Sequence, residues 1–135
     1  MKLNPDCVRD VLLALETLLV IDESGSLIRD ITIDEIAECT ILKPYTEADI
    51  IYTIQKLTEA DFINPLTKIY ADGEFMFSFF GTRGITYQGH EFLDTIRAQP
   101  IWQKTKTTIL EKLGSASLSV FSSVAAEFAK RSLFE

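Results

Sequence analysis

The sequence predicts an α+β, helix-rich fold: a winged helix-turn-helix with a β-hairpin wing and additional C-terminal helices. Three observations predict it. Two capped helices flank a tight break, a β-hairpin signal follows them, and helical periodicity then resumes. We expect the winged helix-turn-helix domain over residues 1–99 and a C-terminal helical extension over residues 100–135.

The first predicted helix begins at Asn4 and Pro5, because asparagine caps helices and proline suits their first turn. Apolar residues then recur at three- and four-residue steps to about Ile21, which predicts one buried face. The run DESGS supplies the turn that ends this helix. The following SLIRDI, residues 26–31, is predicted to be a short strand.

Two shorter helices come next, and each begins with a threonine cap. Thr32 with Glu35 and Thr46 with Asp49 both match the spacing of a capping box. Pro44 separates the two helices, because proline interrupts helical hydrogen bonding. This arrangement is typical of a helix-turn-helix.

The second of these helices, residues 46–60, occupies the position that reads DNA in helix-turn-helix proteins. Tyr45 and Ile50 have the spacing of a hydrophobic staple at its start. A β-hairpin over residues 62–80 then forms the predicted wing, and its turn is the Asp-Gly pair at 72 and 73. The run GTRG, residues 81–84, is expected to end the hairpin.

Three more helices are predicted after the wing. Thr86 caps the first, Pro100 begins the second and Gly114 ends it. The last helix carries an amphipathic pattern that either packs on its own domain or mediates oligomerisation. Its apolar face comprises Leu118, Phe121, Val124, Ala125 and Phe128.

Charge separates the two halves of the chain. Residues 1–62 hold five Lys/Arg and thirteen Asp/Glu, whereas residues 63–135 hold eight and seven. The formal net charge of −7 disfavours non-specific binding to nucleic acid and to anionic membranes, because both need local positive potential. Charged residues interrupt the apolar run at the start of the sequence, and no stretch approaches the roughly 20 apolar residues that a membrane span needs. We therefore expect a cytoplasmic protein that does not bind membranes.

The chain offers little for chemistry. His90 is its single histidine, and no motif places Cys7 or Cys39 beside it as a nucleophile. We expect His90 to pack beside the wing and the two cysteines to behave as small apolar residues. The spacing of these three residues does not suit zinc, so we expect no enzyme activity, no metal and no cofactor.

The predicted interaction face lies on the 46–60 helix and the wing. It consists of Thr46, Glu47, Tyr52, Thr53, Lys56, Lys68 and Arg83. Acidic residues in the first turn of this helix oppose phosphate, so we expect a protein partner or a second copy of the chain. DNA is the alternative ligand.

The phrase ITYQGHEFLDTIRAQPIWQKTK resembles a family of small bacterial and prophage proteins known by a domain-of-unknown-function label. The opening MKLNPDCVRDVLLALE also resembles that family. The resemblance implies a winged helix and a mobile-element origin, and it brings no catalytic or ligand residues. The matching positions of the phrase are Ile85, Thr86, Gly89, His90, Glu91, Phe92, Leu93, Asp94, Ile96, Arg97, Trp102, Lys104 and Lys106.

Residues and resemblance together predict a small non-enzymatic regulatory or adaptor protein that acts mainly through protein–protein contacts, including self-association. The alternative is a prophage-type transcriptional regulator that binds DNA as a dimer through helix 46–60 and wing 62–80.

Overall fold

The computed structural model describes residues 1–19, 23–25, 30–69 and 75–134, and it describes only the backbone of 67–69 and 75–80. Within these residues the protein is α+β and helix-rich, as predicted. The chain forms two compact units, Met1–His90 and Glu91–Glu135. The predicted domain boundary between residues 99 and 100 stays a prediction.

Helices α1, α2 and α3 belong to the first unit. Their bounds are Pro5–Leu18, Ile33–Ala37 and Glu47–Glu59, and a 3₁₀ turn over Thr40–Leu42 links α2 to α3. The predicted cap of α1 is confirmed, since the side chain of Asn4 accepts hydrogen bonds from the backbone of Asp6 and Cys7. Helix α1 ends before the predicted Ile21, because Leu19 is already extended.

Three antiparallel strands complete the first unit. They are β1 (Ile31–Thr32), β2 (Ile63–Ile69) and β3 (Phe75–Ile85), with β3 in the middle of the sheet. Most of the predicted strand at 26–31 and the predicted hairpin turn at 72 and 73 lie outside the described residues.

The prediction that GTRG ends the hairpin is wrong, because Gly81 to Ile85 continue β3. This stretch pairs with β1 on one side and with the start of β2 on the other. The buried hydroxyl of Thr82 donates to the carbonyl of Asn64 at 2.6 Å, across a register shift in β2. Pairing with β1 and β2 therefore keeps residues 81–85 extended, although this run contains two glycines.

Helices α1 and α3 pack on each other, and α3 also packs on β2 and β3. Burying a leucine or isoleucine side chain stabilises a fold by about 1.5–3 kcal/mol. The apolar faces of the two helices therefore supply most of the core of this unit. The buried residues of these faces are Cys7, Val8, Val11, Leu12, Ala14, Leu15, Ile50, Ile54 and Leu57.

Tyr45 connects the segment before α3 to α1. The sequence predicts a staple between Tyr45 and Ile50, and both residues line one groove. In addition, the hydroxyl of Tyr45 donates to the carboxylate of Asp10 at 2.6 Å. Burial, followed by the hydrogen bond to Asp10, raises the pKa of Tyr45.

Helix α4 (Tyr87–Ile96) begins against Asp61 and Phe62, which follow α3, and Gly89 makes this approach possible. Thr86 accepts from the backbone of Gly89 at 3.1 Å, which confirms its predicted role as cap, and its hydroxyl donates to the carbonyl of Asp61. A Cβ atom at Gly89 would lie 2.1 Å from the carbonyl oxygen of Phe62. The helix therefore needs glycine at this position.

The second unit contains α5 (Gln99–Leu113) and α6 (Leu118–Leu133), which pack together. The rings of Trp102 and Phe121 lie 5.5 Å apart, and both side chains are buried. On the predicted oligomerisation face of α6, Phe121 and Ala125 are buried, and Leu118, Val124 and Phe128 are half-buried. Much of that face is therefore covered within the same chain.

We expect Gly89→Ala to lower the free energy of unfolding by about 1–3 kcal/mol, because the added methyl group overlaps the Phe62 carbonyl. At an unconstrained helical site the same change would instead stabilise by about 1 kcal/mol. Urea denaturation measures the difference, with Gln88→Ala as the exposed neighbouring control. A stabilised Gly89→Ala variant would contradict the close approach.

We expect Phe121→Ala to lower the free energy of unfolding by about 3–5 kcal/mol, because it leaves a cavity beside Trp102. Leu110→Ala is the matched control, since Leu110 is 69% exposed. Thermal denaturation followed by Trp102 fluorescence compares the two variants. Equal losses would show that α6 does not shield Trp102.

We expect the contribution of Tyr45 to stability to be complete below about pH 10, where an unfolded tyrosine titrates. Because its folded-state pKa is raised, the folded protein retains this proton while the unfolded chain loses it. The free energy of unfolding should therefore fall as the pH rises above about 10. The variant Tyr45→Phe should lose the share of this fall that is due to Tyr45. Urea titrations across this range test it, with Tyr87→Phe, at an exposed position, as the control.

Candidate functional site

The N-terminus of α3 is closed by its own capping box. The hydroxyl of Thr46 accepts from the backbone of Asp49 at 3.1 Å, and the carboxylate of Asp49 accepts from the backbone of Thr46 at 3.4 Å. Glu47 is exposed beside them. The two carboxylates offset the positive end of the helix dipole, so this helix end is a poor site for phosphate.

Lys56, the cation of the predicted face on α3, is paired within the helix. Its ammonium group lies 2.9 Å from the carboxylate of Glu59 and 5.3 Å from the centre of the Tyr52 ring. The hydrogen bond to Glu59 is the main reason that the pKa of Lys56 is raised. Lys56 therefore adds little net positive charge to the surface around Tyr52.

Arg83 is paired in a similar way. Its Nε atom lies 3.5 Å from the carboxylate of Asp30, and both side chains are more than half exposed. An exposed ion pair of this kind contributes only about 0–1 kcal/mol to stability, but it cancels charge locally. The remaining predicted cation of the wing is Lys68, whose side chain lies outside the described residues.

Thr53 does not belong to the interaction face, so this part of the prediction is wrong. Its side chain is 1% exposed. Thr53 follows Ile50 by three positions and precedes Leu57 by four, which places it on the inward face of α3. The threonine side chain is polar, which suggests an exposed position. The helical spacing nevertheless turns it toward the core.

A groove of about 380 Å³ lies between α2, the 3₁₀ turn and the start of α3, and we call it the acidic groove. Sequence reasoning missed it. The available signal was the pair Asp34 and Glu38, whose spacing of four residues puts both carboxylates on one face near α2. Glu47 adds a third carboxylate from the neighbouring helix. The groove is lined by Asp34, Ala37, Glu38, Leu42, Lys43, Tyr45, Glu47 and Ile50.

A second groove, of about 370 Å³, lies between α1 and the 3₁₀ turn. Side chains of Leu13, Leu18 and Ile41 make it mainly apolar, and Cys39 lies at its border. Burial raises the pKa of the Cys39 thiol, which donates to the carbonyl of Glu35. Because the thiolate is the nucleophilic form, this shift disfavours a catalytic role for Cys39.

His90 is exposed on α4, so the prediction that it packs beside the wing is wrong. Its neighbour Gly89 is the residue that faces inward, against Phe62. Among the described residues, no group of three or more His, Cys, Asp or Glu side chains is arranged to hold a metal ion. In the same part of the chain, every helix is too short or too polar to cross a lipid bilayer.

Four large apolar side chains among the described residues of the second unit are exposed. Leu110 and Leu113 lie near the end of α5, with exposed fractions of 69% and 64%. Leu133 and Phe134 follow Lys130 and Arg131 at the end of α6, with exposed fractions of 78% and 88%. The exposed apolar surface of this unit therefore lies outside the face predicted from periodicity.

Comparison with known proteins identifies a family. No curated protein and no solved structure significantly matches this chain. One family model, described as "Hypothetical protein (DUF2513)", matches residues 2–115. The match includes the GHEFLDTIR phrase and α1 to α5, whereas α6 lies beyond it. The chain therefore belongs to the DUF2513 family.

Proposed function

We propose that this protein is a small non-enzymatic regulatory or adaptor protein, of mobile-element type, that acts mainly through protein–protein contacts. Its contact surface is the exposed side of α2 and α3, including the acidic groove. Self-association is one of these contacts.

The observation that carries the proposal is the pairing of positive charges around α3. Lys56 is neutralised by Glu59, and Arg83 is neutralised by Asp30. Glu47 and the groove carboxylates Asp34 and Glu38 carry no ion pair among the described residues. The net charge of this surface is therefore negative, which suits a basic protein surface and opposes nucleic acid.

A winged helix-turn-helix is part of the proposal. Support comes from the order of elements, in which α2 and α3 are joined by a short turn and followed by the antiparallel pair β2 and β3. Helix α3 then takes the position that reads DNA in other proteins, but it presents acidic residues and one lysine, Lys56, that is paired within the helix. A fold does not itself determine function, so a DNA-reading architecture is compatible with a protein partner.

The second candidate is a prophage-type transcriptional regulator that binds DNA as a dimer through helix 46–60 and wing 62–80. The order of elements favours it. A regulator of this kind would neutralise roughly 6–10 phosphates with Lys and Arg, and the two described cations of the predicted face are already paired.

We expect no mobility shift of random duplex DNA at about 50 mM salt, where phosphate contacts are strong. The variant Glu47→Lys with Glu59→Gln removes two exposed acids, adds one cation and releases Lys56 from its pair, so it should bind more than the unmodified protein. Glu91→Lys with Glu111→Gln makes the same charge change at exposed sites on α4 and α5 and serves as control. Salt-sensitive binding of duplex by the unmodified protein would contradict the proposed function.

A further inference from the structure

We propose that the acidic groove of one copy binds residues 130–134 of a second copy of this chain. This inference rests on the proposed function, because it specifies one protein contact made by the α2–α3 surface. The segment has the sequence KRSLF and spans the last turn of α6 and the residue after it.

The groove combines negative charge with an apolar base. Asp34, Glu38 and Glu47 contribute three carboxylates, whereas Lys43 contributes one cation. None of these four side chains forms an ion pair within the described parts of the chain. A ligand that brings positive charge therefore gains attraction without having to break an existing pair.

Tyr45 gives the groove a fixed aromatic wall. Its hydroxyl is anchored on the Asp10 carboxylate of α1, and its ring lines the groove together with Ala37 and Leu42. An aromatic ring attracts a cation over its face and also packs against apolar side chains. The groove therefore suits a segment that carries basic and apolar side chains close together.

The segment 130–134 has that composition. Lys130 and Arg131 supply two positive charges, and Leu133 and Phe134 are the two most exposed large apolar side chains described. Arg131 pairs with Glu127 at 3.6 Å, and both groups are more than half exposed. An ion pair between two exposed side chains is weak, so Arg131 can exchange Glu127 for a carboxylate of the groove.

The other exposed apolar pair of the second unit fits the groove less well. Leu110 and Leu113 flank Glu111 and Lys112, whose charges cancel, so this segment brings no net positive charge to the groove. Among the residues that the structure describes, the apolar groove between α1 and the 3₁₀ turn has no acidic lining residue to match Lys130 and Arg131. Charge complementarity therefore selects one segment and one groove.

The test measures self-association of the full chain by light scattering over a concentration series. We expect a concentration-dependent increase in mass that weakens as salt is raised, because screening reduces exposed charge interactions. Glu47→Lys and Arg131→Glu should each weaken association by about tenfold, since each places like charges in contact. The double variant Glu47→Lys with Arg131→Glu restores opposite charges and should recover most of the loss.

Controls separate this contact from general effects of charge and stability. Glu91→Lys changes charge by the same amount at an exposed site on α4 and should leave association unchanged. Phe134→Ser should weaken association and leave the denaturation midpoint unchanged, because Phe134 is 88% exposed. A synthetic peptide of residues 129–134 should compete with the second copy and should fail to bind the Glu47→Lys variant.

Three outcomes would overturn the inference: a monomer at every concentration, association indifferent to both Glu47→Lys and Phe134→Ser, or a charge-swapped double variant no better than the single ones. A monomer at every concentration would also contradict the self-association in the proposed function. The rest of that function, contact with proteins and not with DNA, is judged by the duplex DNA assay. If the copies associate through another surface, the proposed groove contact is wrong. The proposal that the protein acts through protein–protein contacts would still stand.

Discussion

The packing of α1 against α3 is the interaction on which the first unit depends. The two helices bury their apolar faces against each other, and β2 and β3 lie against α3. This contact also includes one polar interaction, in which the thiol of Cys7 donates to the carbonyl of Asp49 in α3. Once α3 is held in this way, the direction of every other side chain on it follows from the helical period.

The character of the surface follows from that constraint. The inward stripe of α3 leaves Glu47, Tyr52, Lys56 and Glu59 at or near the surface, where Lys56 and Glu59 pair. Tyr45, anchored on Asp10, holds the segment before α3 close to α1 and completes one side of the acidic groove. The same packing that stabilises the core therefore determines which charges meet a partner.

Local signals in the sequence predicted the helix starts well. The cap at Asn4, the capping box of Thr46 and Asp49, and the cap at Thr86 are all formed as expected. These signals succeed because a cap involves atoms within three residues of each other. The end of β3 was not predicted, because the run GTRG is extended by its pairing with β1, which lies about fifty residues earlier in the chain.

The candidate site likewise combines features that local sequence predicts with features that depend on tertiary packing. Sequence alone determined the acidic first half, the position of α3 and the amphipathic pattern of α6, because composition and periodicity are local properties. Helical spacing from Ile50 and Leu57 also places Thr53 on the inward face, although it was predicted to be exposed. Tertiary structure decided that Arg83 meets Asp30 and that α6 covers Trp102. It also decided where the acidic groove lies. Each of these depends on residues far apart in sequence, whose approach is set by packing and cannot be read from local pattern.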